Sequence, residues 1–189
     1  MELSAGKSSA AAGGVTKISA GVGSTTGGTI FIASGEGTSS SSGMVVIRSS
    51  NAGTAGSSGK LVFSSGTAKT GNSGALLFGS GTATAGRGGL IALTVGSGTS
   101  GSGGMVEISA GRSTVHTGGA LTVASGEGTA SSSGAITIRS ANSGETGGSG
   151  MLIFSSGSSK TGNSGALELG TGAATAGRGG LIALTVGSG

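Results

Sequence analysis

His116 is the single histidine of this chain, and Glu36 and Glu127 are its best-matched acidic residues. These are the side chains from which acid–base or metal chemistry would have to be built. They do not combine into either. His116 falls at an expected turn, and the sequence has no Cys and no Asp to share a metal with it. The absence of Asp also rules out a Ser-His-Asp triad and the GGxGxD calcium-binding repeat, despite 36 serines. A carbohydrate-active enzyme would need a cluster of carboxylates, whereas Glu36 and Glu127 each stand alone in their stretch of chain.

Three further motifs invite chemistry. Residues 96–101, Gly-Ser-Gly-Thr-Ser-Gly, match GxGxxG after an apolar segment, but no helical periodicity follows to present a helix N-terminus to a phosphate. Gly6-Lys7-Ser8 matches the end of a P-loop without its leading glycine. Arg87 and Arg178 occupy identical AGRGG contexts, each one repeat after an asparagine, Asn72 and Asn163. A turn-stabilising hydrogen bond or a ligand or glycan contact would each explain that pairing. No catalytic residue, cofactor site or metal site is expected. The Asn-x-Ser/Thr sequon is absent, so N-glycosylation is not expected, and O-linked glycans on outward Ser and Thr are left open.

What would position such residues is a repeat. Gly, Ser and Thr number 46, 36 and 22 of the 189 residues, and the only aromatics are four Phe. Such a composition suggests a flexible linker. Against that, the apolar residues recur in blocks of Val, Ile, Leu and Phe, and charged residues are only 8%. Residues 75–98 and 166–189 agree at 20 of 24 positions. Read from Gly to Gly, the repeats are 1–14, 15–28, 29–43, 44–59, 60–74, 75–89, 90–104, 105–119, 120–134, 135–150, 151–165 and 166–180. They group into superrepeats 1–89 and 90–180, with a third beginning at 181–189. Met1 falls at a second position and Gly189 in mid-repeat, so a window from a longer array is expected.

The fourth position of each repeat is always large and apolar: Leu3, Ile18, Ile32, Ile47, Phe63, Phe78, Leu93, Ile108, Val123, Ile138, Phe154, Leu169 and Leu184. The second position is nearly as strict, and the sixth is small. Alternation at two, four and six predicts a strand with one buried face and a core ladder at position four. A nearly constant glycine at position seven predicts a bend. On neighbouring rungs Glu2 would stand beside Lys17, Arg112 beside Glu127 and Glu145 beside Lys160. The third position is apolar as well, in Phe31, Val46, Val62, Leu77 and Ile153. Strands apolar on both faces are normally covered on both. These residues are therefore the expected self-association face.

The lines VxISAGxSTxxGG, LTVASGEGTASSSG and LIALTVGSGTSGSGG resemble Gly/Ser/Thr-rich β-solenoid repeat arrays in large surface or extracellular proteins of algae and related protists. The resemblance covers the whole chain. It implies a long extracellular structural protein and carries over no functional residue.

The expected fold is all-β, a flattened, right-handed parallel β-solenoid with six coils per superrepeat. At roughly 4.8 Å per coil it would be about 60 Å long. The expected function is a self-assembling extracellular fibre, filament or stalk whose partner is itself. A net charge of +4 without basic runs or interleaved aromatics gives no footprint for nucleic acid. No apolar segment is long enough to span a membrane. An ice- or surface-binding solenoid is the alternative. Its rank of Thr would be Thr99, Thr114, Thr129 and Thr175, interrupted by Lys69, Glu145 and Lys160.

Overall fold

A computed structural model describes residues 2–9 and 12–188. Among these residues there is no helix and no β-strand, so the all-β solenoid expected from the alternation is not the fold. The chain is irregular and falls into two units, Met1–Leu93 and Thr94–Gly189. The boundary lies inside the repeat 90–104.

The surface area shows why an interior is missing. The chain exposes 18663 Å². A compact chain of 17.1 kDa exposes about 7,800 Å² and a fully extended one about 25,000 Å². Among the described residues no side chain is buried, polar or apolar. The core ladder from Leu3 to Leu184 therefore has no core: its members are between 51% exposed at Phe63 and 87% exposed at Leu184. The rung contacts fail with it, since none of the pairs Glu2–Lys17, Arg112–Glu127 and Glu145–Lys160 closes into an ion pair.

The period nevertheless organises the backbone. The chain bends at residues 24–26, 38–40, 69–71, 84–86, 99–101, 114–116, 129–131, 160–162 and 175–177. Each is the tenth to twelfth position of its repeat. In the two sixteen-residue repeats the bend moves on by one, to 54–56 and 145–147. Each of these shifted bends ends on a glycine with positive φ, Gly56 at 107° and Gly147 at 127°. A side chain would be strained there, and glycine is not.

The backbone hydrogen bonds run within repeats. The N–H of Gly14 donates to the carbonyl of Gly6 at 2.9 Å, and Gly28 to Gly21, Gly43 to Gly35, Gly119 to Gly111 and Gly134 to Gly126 do the same at 2.8–2.9 Å. Each bond ties the last residue of a repeat to its seventh. In these five repeats the chain thus closes a local loop after its apolar segment.

Two close approaches accompany closure, the first of them shared by unclosed repeats such as 60–74 and 75–89. The last glycine comes up against the sixth residue of its own repeat. A Cβ on Gly14, Gly28, Gly43, Gly134 or Gly119 would lie 3.1–3.5 Å from the Cβ of Ala5, Ala20, Ser34, Ser125 or Ala110. The ninth residue matters as well. In two of the closed repeats a Cβ on Gly37 or Gly128 would strike the carbonyl oxygen of Ser41 or Ser132, and in a third a Cβ on Gly23 would strike that of Thr26. In the repeat 105–119 the ninth residue is Ser113 instead. Its Oγ accepts the N–H of His116 at 2.9 Å and of Val115 at 3.4 Å. Ser159 Oγ accepts the N–H of Gly162 in the same way at 3.0 Å.

Candidate functional site

The residues that could do chemistry are scattered. His116 ends the bend at 114–116 with its backbone N–H held by Ser113 and its side chain exposed. Glu36 and Glu127 sit in equivalent loops of different units, and both are exposed. Among the described residues no three His, Cys, Asp or Glu side chains come together as a metal site, and no cavity forms. The GxGxxG segment 96–101 forms a bend ending at Gly101, whose φ is +85°, with no helix after it. Arg87 and Arg178 are both exposed and make no hydrogen bond to Asn72 or Asn163.

What the chain presents is a repeated apolar surface. In the unit Met1–Leu93 the third-position residues Phe31 and Leu77 are 86% and 84% exposed, with Val46 and Val62 also exposed between them in sequence. Met44 at a first position is equally open. In the unit Thr94–Gly189, Ile153 at the third position and Met105 and Met151 at the first are exposed. The second position is the least open of the apolar set: Leu152 is 47% exposed beside Met151 at 81%. The two-residue alternation therefore survives as two unequal faces of an extended segment, without a ladder. The more open face carries the first and third positions.

One contact joins equivalent positions of consecutive repeats. The rings of Phe63 and Phe78 lie 6.4 Å apart at 89°, an edge-to-face pair. Both are fourth-position residues. This geometry is the favoured one for aromatic rings, in which the positive edge meets the negative face.

The pairing of the sixth position with the closing glycine was not anticipated from sequence. Its signal was there. Both positions are small in almost every repeat. Val95 is the one large sixth residue of a full repeat, and its Cγ1 lies 2.5 Å from where a Cβ on Gly104 would stand. The approach alone does not close a repeat: 60–74, 75–89 and 166–180 share it and, like 90–104, lack the glycine–glycine bond.

Among the described residues no helix is long and apolar enough to cross a membrane. No protein-family model, no curated protein and no solved structure matches the chain.

Proposed function

We propose that this chain is a structural, self-associating segment of an extracellular fibre, filament or stalk, whose first- and third-position apolar residues are covered by further copies. One observation carries this reading. Among the described residues, thirty-nine large hydrophobic side chains, from Leu3 to Val186, stand exposed and none is buried. Soluble monomers rarely keep contiguous apolar patches larger than a few hundred Å² in water. The repeat supplies many equivalent patches, so association of one pair of segments is available to the next. Low charge supports the same reading, since only 8% of residues oppose close approach.

Sedimentation and negative-stain microscopy across a concentration series test it. Wild-type chain is expected to form elongated assemblies above a threshold concentration. Phe31→Ser with Leu77→Ser is expected to raise that threshold about tenfold or more, because each loses on the order of 1–2 kcal/mol of burial. A chain that stays monomeric at all concentrations, or a double variant that assembles like wild type, overturns the proposal.

A further inference from the structure

The geometry points to a specific mode of association: the unit Met1–Leu93 of one copy laps onto the unit Thr94–Gly189 of the next, offset by one superrepeat, with Lys17 of the first against Glu107 of the second. This inference rests on the self-association proposed above and adds its register.

The argument starts from equivalent positions in the two units. Where both carry a charge, the sign is usually kept: Glu36 with Glu127, Arg48 with Arg139, Lys69 with Lys160, Arg87 with Arg178. The exception is the third position of the second repeat in each superrepeat, which is Lys17 in one unit and Glu107 in the other. Both side chains are exposed, and neither has an ion-pair partner among the described residues. The third position is also the one that carries the open residues Phe31, Val46, Val62 and Leu77. The inverted charge therefore lies in the row of positions expected to meet another copy.

Lateral packing in register would set Lys17 against Lys17 and Glu107 against Glu107. Like charges directly opposed across a packed surface are unfavourable. A shift of one superrepeat replaces both repulsions with an attraction. It also sets Val62 opposite Ile153, and Phe31 and Val46 opposite the methyl-bearing Thr122 and Thr137. One position fits poorly, because Glu168 falls opposite Leu77. The contact joins unlike surfaces, so it does not close on itself. Each lapped pair leaves one unit of each kind free, and a heterologous contact of that kind continues as a filament.

The critical concentration for assembly, measured by sedimentation at low ionic strength, tests the lap. Lys17→Glu and Glu107→Lys are each expected to raise it about two- to fivefold, the range of an exposed ion pair. The double variant is expected to return to the wild-type value. An equimolar mixture of the two single variants is expected to recover as well, because each lap then again joins opposite charges. These differences should vanish in molar salt, where the screening length falls to about 3 Å. Glu168→Leu is expected to lower the critical concentration.

Single variants that assemble like wild type overturn the lap, as does a double variant no better than the worse single. Either result leaves self-association standing. A wild-type chain that never assembles removes both.

Discussion

Phe63 and Phe78 stand fifteen residues apart and meet edge to face, with centroids 6.4 Å apart at 89°. Each is the fourth residue of its repeat, so consecutive repeats lie side by side in register at this point. Both rings remain more than half exposed. The pair is therefore worth no more than about 1 kcal/mol. In dilute solution the ring protons of Phe63 are expected to show an upfield ring-current shift in NMR spectra. Phe78→Leu should abolish that shift while leaving the spectra of residues 105–188 unchanged. A Phe63 spectrum indifferent to Phe78→Leu would mean that the rings do not meet.

Loop closure gives a second expectation. The amide protons of Gly14, Gly28, Gly43, Gly119 and Gly134 are bonded to carbonyls, unlike that of Gly104. Their temperature coefficients should be smaller than that of Gly104. A net bond of about 1 kcal/mol makes the closed form about fivefold favoured. Val95→Ala removes the side chain that stands against Gly104 but should leave its coefficient in the unbonded group, because repeats such as 60–74 and 75–89 have a small sixth residue and no closing bond. Gly119→Ala should take the amide at that position out of the bonded group, since its Cβ would lie 3.3–3.5 Å from Gly111 and Ala110. Equal coefficients at Gly104 and Gly119 in the wild type would contradict the closed and open assignments.

The repeat was legible in the sequence, but its bend lies at positions ten to twelve in most repeats, not at the glycine of position seven where the sequence predicts it. The fold class was not. Alternation of large residues at Ile30, Ile32 and their equivalents is a property of any extended segment, whose successive side chains point to opposite sides. It says nothing about which N–H meets which carbonyl. In five repeats the closing glycine's N–H turns back within the repeat, as Gly119 does to Gly111 at 2.8 Å. The closing contact between position six and the last glycine was present as two separate regularities, small residues and glycines. The close approach of the two, repeated from Gly14 to Gly180, joins them into one feature. The chemistry-bearing residues read consistently: His116 lies at the bend expected for it, with its N–H held by Ser113.

That serine supports a third expectation. Ser113 Oγ accepts two backbone N–H groups, from His116 and Val115, in the manner of a helix cap without a helix. Ser113→Ala should shift the amide resonance of His116 upfield and raise its exchange rate a few-fold, as expected for a cap worth about 1 kcal/mol. Ser113→Thr keeps the oxygen and should leave the amide near its wild-type position. Ser159→Ala should act likewise on Gly162 and not on His116. An unchanged His116 amide in Ser113→Ala would show that the bend at 114–116 holds without the hydroxyl.

The exposed apolar positions predict how association responds to solvent and temperature. Phe31, Leu77, Met44 and Met151 leave water when copies meet, and apolar burial near room temperature is driven by entropy. Association of this kind weakens on cooling and strengthens with sulfate, which is excluded from protein surfaces. Assemblies formed at 25 °C should therefore dissolve in part near 4 °C, and ammonium sulfate should lower the critical concentration. The Lys17–Glu107 contact pulls the other way, because simple salt screens it. Sodium chloride at moderate concentration is thus expected to weaken assembly slightly where sulfate strengthens it. Assemblies that resist cooling and respond equally to both salts would place their main attraction outside the apolar rows.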